Sequence, residues 1–174
     1  AAAATSLVMI TGNTDLHRIL FWLLGSFSSR RWEHVHMVWP WALLGVVTLQ
    51  FFARDLNVLL QGEENAQFLG VDVERVKRRL LVITALLTAA AVSVSGIIGF
   101  VGLIVPHVMR LLVGPDHRRL LPASLLGGAI LMVAADMLAR TLIAPAEVPV
   151  GVITALLGCP FFLYLLSRRR DLAV

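Results

Sequence analysis

The chain has 174 residues, of which 58% are hydrophobic and only 15% are charged, with a net charge of +4. A soluble domain has roughly 45–50% apolar and about 25% charged residues, so this composition excludes an ordinary soluble domain and indicates a membrane protein. The basic residues lie at the ends of apolar runs, which is a topogenic pattern and excludes a nucleic-acid-binding stripe.

Apolar runs predict an all-α polytopic membrane protein with about five transmembrane helices and one partial helix. The chain begins inside an apolar run without a starting Met, so we interpret 1–12 as the end of a truncated span and the chain as a fragment. Residues 16–27 are too few to cross a bilayer and predict an interfacial or re-entrant helix. A glycine-rich interruption divides the long apolar stretch after residue 80. The complete spans are predicted at 35–54, 80–95, 100–113, 120–144 and 150–166.

One long polar segment, Gly62–Arg79, interrupts these runs. Glu63 and Glu64 suit the N-terminus of a short helix, and Gly70 suits its left-handed end. Asp72 then suits the cap of a second short helix that ends in basic residues. We predict two short helices that form a docking surface, and a solvated loop remains the alternative.

The distribution of basic residues predicts the orientation of the chain. With a cytoplasmic C-terminus, ten basic residues lie inside and four outside, as the positive-inside rule favours. The inside set is Arg54, Arg75, Lys77, Arg78, Arg79, Arg118, Arg119, Arg168, Arg169 and Arg170, and the outside set is Arg18, Arg30, Arg31 and Arg140. The polar segment is then cytoplasmic.

Charges inside membrane spans are costly, so they are candidates for function. Asp136 and Arg140 are four residues apart and can pair along one helix face, either as a neutralised structural pair or with Arg140 reaching an acidic partner at the outer surface. His107 is the third group of a possible proton relay, although a packing role is the simpler interpretation.

Enzyme signatures are absent from the sequence. It contains neither a metalloprotease HExxH motif nor a GxSxG nucleophile elbow, and no GxxxxGK[ST] loop that would bind ATP. The single cysteine, Cys159, lies in an apolar run and cannot form a disulfide framework or a Cys-based metal site within the chain. We therefore predict neither a catalytic residue nor a cofactor or metal site in this chain.

Two long runs resemble the FecCD-type permeases, the membrane subunits of ABC importers for iron–siderophores, haem and vitamin B12. These runs are SGIIGFVGLIVPHVMRLLVGPDHRRLLPASLLGGAILMVAADMLAR at 95–140 and PAEVPVGVITALLGCPFFLYLL at 145–166. GEENAQFLG at 62–70 and FWLLGSF at 21–27 resemble the same family. One departure is Cys159, which stands where this family usually has a small Ala or Gly. The resemblance covers essentially the whole chain and implies the C-terminal half of a ten-helix permease.

The resemblance also implies roles for particular residues. The polar segment would contain the coupling helices that dock on a cytoplasmic ATPase subunit, with the contact residues Gly62, Glu63, Glu64, Ala66, Leu69, Gly70 and Val71. Arg140 would pair with a glutamate of a substrate-binding protein. Residues for the translocation path or helix packing would be Gly96, Gly99, Gly102, Pro106 and His107. The basic end of the polar segment, Lys77–Arg79, is interpreted as a topology anchor.

The expected function is ATP-driven import of an iron–siderophore or related chelate such as haem or cobalamin across the bacterial inner membrane. The implied partners are ABC ATPase subunits that carry ATP and Mg, a periplasmic or lipoprotein binding protein, a second permease subunit and membrane lipid. The alternative is a proton-coupled secondary transporter that uses Asp136, Arg140 and His107. The chelate, and the choice between a homodimer, a heterodimer and a fused permease, stay open.

Overall fold

The computed structural model describes residues 15–28, 30–143 and 147–170, and within these ranges the chain forms eight α-helices and no strand. The truncated span predicted at 1–12 lies outside the described residues. The helices are α1 Asp15–Leu24, α2 Trp32–Phe51, α3 Ala53–Leu59, α4 Glu63–Phe68, α5 Val73–Ser95, α6 Val101–Val113, α7 His117–Thr141 and α8 Val150–Arg170.

The protein is an all-α, polytopic membrane protein, as the sequence predicted. By length and apolar composition, α5, α7 and α8 can each cross a bilayer, and the bent pair α2–α3 can provide a fourth crossing. The apolar α6 has 13 residues and corresponds to the short crossing predicted at 100–113. Little of the three spans is buried within the described chain, at most 22% of the most apolar window. Their side chains therefore face lipid or other protein.

The second short helix predicted in the polar segment is not a separate element. Residues 73–79 are the beginning of α5, which continues without a break to Ser95. The reason is local, because no glycine or proline occurs between Val73 and Ser95, and the Arg and Leu residues around position 80 favour helix. The sequence changes from charged to apolar near residue 80, but the helix continues through this change.

The span predicted at 35–54 begins earlier than expected and bends near its end. Helix α2 starts at Trp32, so Pro40 lies inside the helix and not near its beginning. The axis turns by 49° between α2 and α3, with Phe52 at the break. The bend sends α3 towards the polar segment, and α3 packs against both α2 and α4.

The described chain divides into two compact units. In the first unit, α1 packs against α8, and the linker between α5 and α6 bonds to the end of α1. The Ser26 amide donates to the Ser95 carbonyl at 2.9 Å, and the Ile97 amide donates to the Trp22 carbonyl at 3.2 Å. These bonds satisfy backbone groups where α1 and α5 end, as non-helical backbone at membrane depth requires.

The second unit contains α2 to α5, α6 and the first part of α7. Its packing relies on small side chains: Gly45 of α2 is buried, and Leu87 of α5 fills the space that a larger residue at position 45 would need. The buried apolar side chains of this unit are Ala53, Ala66, Val73, Val76, Val105 and Leu120. Four of these six lie in α3, α4 or the start of α5, so the polar segment is held by a small core of its own.

Candidate functional site

The first half of the polar segment is a six-residue helix, α4, which ends at Phe68 and is followed by a turn at Gly70. Gly70 has φ +83°, a left-handed conformation that residues with a side chain rarely adopt. Its amide donates to the Gln67 carbonyl at 2.9 Å, and the Val71 amide donates to the Ala66 carbonyl at 3.0 Å. These two bonds are those of a Schellman motif, which satisfies the last carbonyls of a helix. The predicted left-handed end at Gly70 is confirmed.

The second half of the polar segment opens α5 with a side-chain cap. One Asp72 carboxylate oxygen accepts from the Arg75 amide at 3.1 Å, and the other lies 2.8 Å from the Arg75 guanidinium. A carboxylate at this position satisfies a free amide of the first turn and complements the helix dipole. The predicted cap at Asp72 is confirmed.

An ion pair joins the two halves of the polar segment across the Gly70 turn. The Lys77 ammonium group lies 2.6 Å from the Glu63 carboxylate, although the residues are 14 positions apart. Lys77 therefore belongs to the folded segment, in addition to any part in topology. Arg78 and Arg79 are exposed.

The exposed face of α4 contains an aromatic residue that the sequence interpretation missed. Phe68 is 90% exposed and Leu69 is 63% exposed, side by side at the end of α4. Ala66 is fully buried, so its side chain packs inside the unit and is not available to a partner. The exposed expected contact residues are Gly62, Glu63, Glu64, Leu69 and Gly70, whereas Val71 is half-buried. The sequence signal for Phe68 is that it is the only aromatic residue between Gly62 and Arg79.

A second polar cluster lies where α3 meets the turn before α7. The Asn57 side-chain amide donates to the Asp116 carboxylate at 2.6 Å, and its carbonyl oxygen accepts from the His117 amide at 2.8 Å. The Arg118 amide and the Asn57 side chain both donate to Asp116 and hold the pKa of its carboxyl below the usual value. Asp116 is therefore ionised at neutral pH. The sequence interpretation named Arg118 only as a basic residue of the inside set, and assigned no role to Asn57, Asp116 or His117.

Asp136 and Arg140, predicted to pair along one helix face, contact each other in α7. The Arg140 guanidinium Nε donates to the Asp136 carboxylate at 2.8 Å, and the arginine side chain remains 48% exposed. Only the Nε–H group makes this bond, so the remaining N–H groups of the Arg140 guanidinium can donate to a partner. In the same unit, the Ser28 hydroxyl donates to the Glu147 carboxylate.

The residues expected at the translocation path are divided between the two units. Gly96 and Gly99 belong to the first unit, where Gly96 is buried against the backbone of Trp22 and Gly99 has open space where a Cβ would lie. Gly102, Pro106 and His107 belong to the second unit. Gly102 and Pro106 line an apolar groove of about 570 Å³, and His107 is half-buried.

Among the described residues, no group of three or more His, Cys, Asp or Glu side chains is placed to hold a metal ion. Cys159 is exposed and lines an apolar groove of the first unit.

Comparison with known proteins identifies the family. The model of the FecCD transport family matches residues 1–168. A cobalamin import system permease protein, BtuC of Halobacterium salinarum, is 52% identical over 96% of this chain and 45% of its own length. A hemin transport system permease protein, HmuU of Yersinia pestis, is 47% identical over 98% of this chain and 51% of its own length.

The fold comparison agrees with the sequence comparison. A metal-chelate type ABC transporter solved in an inward-facing conformation matches with a TM-score of 0.84 and 38% identity, over 96% of this chain and 55% of that chain. The chain thus spans about half the length of the relatives that it matches. With the match to the family model extending over nearly all its residues, the chain belongs to the FecCD transport family.

Proposed function

We propose that this chain is part of the permease subunit of an ATP-driven importer in which α4 and the start of α5 receive the movement of an ABC ATPase. The observation that carries the proposal is the folded polar segment. It is a short helix closed by a Schellman motif, tied to α5 by the Glu63–Lys77 ion pair, with Phe68 and Leu69 exposed on it. A lever needs a contact for its partner and a geometry that holds when the partner moves. The exposed apolar end offers the contact, and the internal bonds of the segment hold its geometry.

The partner that fits this surface is a cytoplasmic ATPase with an apolar pocket. Exposed aromatic side chains surrounded by charge are typical anchors of protein interfaces. Phe68 would enter the pocket, and Glu63 and Glu64 would lie at its polar rim. This proposal places ATP and Mg on the ATPase subunit, and places the polar segment and the C-terminus in the cytoplasm of a bacterial cell, as the count of basic residues predicted.

A second partner, on the predicted outer side of the membrane, is a substrate-binding protein that docks through Arg140. The guanidinium is nearly half exposed and keeps unused donors while Asp136 holds its Nε. A carboxylate of the binding protein can therefore bind the free edge of the same guanidinium. We further infer that a second permease subunit completes the proposed importer.

We infer that the substrate is a metal chelate. The names of the relatives give cobalamin, hemin and ferric dicitrate as cargo, and the matching structure is a metal-chelate type transporter. Iron–siderophore complexes belong to the same chemical class. The ions in these chelates are cargo, so the proposal requires no resident metal in this chain.

The test is reconstitution of the complete permease in vesicles with its ATPase and binding protein. We expect uptake of a labelled chelate only with ATP and binding protein, and no loss when an uncoupler is added at fixed ATP. Uptake that needs no ATP and collapses with the uncoupler would overturn the proposal. It would favour the proton-coupled alternative, in which Asp136, Arg140 and His107 carry the proton.

A further inference from the structure

The side chain of Asn57 is bonded at both ends, and its orientation follows from its neighbours. The Asp116 carboxylate accepts hydrogen bonds only, so the Asn57 NH₂ group must face it, across 2.6 Å. The backbone amide of His117 donates only, so the Asn57 carbonyl oxygen must face it, across 2.8 Å. Nδ1 of the His117 ring lies 2.9 Å from the same oxygen. Asn57 thus joins α3 to the first residues of α7 in one geometry.

A second amide joins the same two parts of the chain. Pro122 lies inside α7 and has no amide hydrogen, so it cannot make the usual helical hydrogen bond to the carbonyl of Arg118. The Gln50 side chain at the end of α2 donates to this carbonyl at 3.1 Å. A side chain at the α2–α3 bend thus replaces the hydrogen bond that Pro122 cannot make in α7. Gln50 and Asn57 form a bridge of two amides from that bend to the start of α7.

The bridge begins next to the helix that we propose as the ATPase contact. Helix α3 packs directly against α4, and only Leu60, Gln61 and Gly62 separate them in sequence. Helix α7 in turn runs without a break from His117 to Thr141. A 25-residue helix is about 37 Å long, so the bridge contacts one of the long helices of the chain at its first residues.

We propose that Asn57 is a positioning residue that passes the movement of α4 to α7. The inference rests on the proposed function, because it needs an ATPase that moves α4. Hydrogen bonds with fixed donors and acceptors suit such a link better than apolar contacts, which can slide past each other. A link of this kind should couple movement of the ATPase to movement of α7, as a coupling between two distinct sites.

The experiment alters the bridge in the complete permease, assembled with its ATPase and binding protein in vesicles. Asn57→Asp places two carboxylates at the 2.6 Å contact, and Asn57→Leu removes both hydrogen bonds at similar volume. Asn57→Asp combined with Asp116→Asn returns a donor–acceptor pair to that contact. Thr88→Ala is the control, because the Thr88 hydroxyl bonds only to a carbonyl of its own helix.

The measured quantities are chelate uptake, ATP hydrolysis and the amount of assembled complex. We expect both single variants to assemble and to hydrolyse ATP, with uptake per ATP reduced at least about fivefold, the lower end of measured coupling between sites. The double variant should recover a large part of this ratio, and Thr88→Ala should match the wild type.

Two results would overturn the inference. The first is a wild-type ratio of uptake to hydrolysis in both single variants. The second is loss of assembly in both, with normal transport by whatever complex forms, since Asn57 would then only hold the fold. The wild-type control separates this inference from the proposed function: without ATP-driven uptake by the wild type, the proposed function itself fails.

Discussion

Lys77 and Glu63 lie on either side of the Gly70 turn, and their charged groups are 2.6 Å apart. The two side chains are 45% and 60% exposed, so solvent screens the pair and it contributes little to the stability of the fold. Its importance is geometric, because no other ion pair among the described residues connects α4 to α5. We expect the angle between the two helices to depend on this contact and on the backbone of Gly70.

Reversal of the charge at Lys77 should therefore impair coupling more than stability. We expect Lys77→Glu to leave the unfolding temperature within a few degrees, because the pair is exposed, and to reduce stimulation of the ATPase by several-fold. Adding Glu63→Lys should restore stimulation. Arg78→Glu changes the charge of the same membrane flank equally and serves as the control. Equal losses in Lys77→Glu and Arg78→Glu would show that only the flank charge matters.

Phe68 should be the anchor of the ATPase interface. Its side chain is 90% exposed, so Phe68→Ala has almost nothing to lose in folding. At an interface, removal of a buried aromatic anchor costs about 2 kcal/mol or more, which is roughly a 30-fold weaker affinity. The affinity of detergent-solubilised permease for the ATPase measures this. Phe51→Ala removes another exposed phenylalanine, 80% exposed at the end of α2, and should leave the affinity unchanged.

The conformation of Gly70 leads to a substitution test that separates strain from crowding. No atom lies within 4 Å of the position that a Cβ would occupy, so a side chain there meets no neighbour. The cost of Gly70→Val is then conformational, about 1–2 kcal/mol at φ +83°. We expect loss of ATPase stimulation and of uptake, while Gly70→Asn, which tolerates this conformation, keeps most of both. Normal uptake by Gly70→Val would contradict the role of the turn.

The features that sequence reasoning predicted are local in the chain. Gly70 and Asp72 were predicted because a left-handed helix end and a helix cap each have a residue preference that acts within a few positions. The glycine-rich interruption near residue 96 was predicted for the same reason, and the structure has a loop between α5 and α6.

The features that sequence reasoning missed depend on contacts between distant positions. Asn57 bonds to residues about 60 positions away, and no local preference of an asparagine indicates that pairing. Lys77 was interpreted as a topology anchor because charge patterns show where a residue lies relative to the membrane and not which carboxylate it contacts. Ala66 was expected at a contact surface, but it is buried, since a family pattern does not distinguish packing from binding.

Arg140 should dock an acidic partner in a salt-dependent manner. We expect Arg140→Glu to weaken binding of the substrate-binding protein about tenfold or more at low salt, and less at high salt, because a half-exposed pair is screened. Arg30→Glu makes the same charge change at another exposed arginine of the predicted outer side and should have a smaller effect. Binding affinities at two salt concentrations test this, and an unchanged affinity at low salt would refute the assignment.

Gly151 should be essential for the packing of the first unit. A Cβ at this position would lie 1.9 Å from the carbonyl oxygen of Leu24 and 3.3 Å from that of Ile97, and both are backbone atoms that cannot turn aside. Gly151→Ala must therefore move α8 away from the end of α1, at a cost of about 1–3 kcal/mol for overpacking. It would also lengthen the bond from the Gly151 amide to the Gly25 carbonyl, which already measures 3.4 Å.

The measurement for Gly151→Ala is the temperature at which detergent-solubilised permease loses its monodisperse state, which we expect to fall by several degrees. Gly128→Ala is the matched control, because Gly128 is also within a helix but has no atom within 4 Å of its Cβ position. Alanine favours helix over glycine by about 0.5–1 kcal/mol, so the control should be unchanged or more stable. A Gly151→Ala permease as stable as this control would show that α8 does not approach the end of α1 so closely.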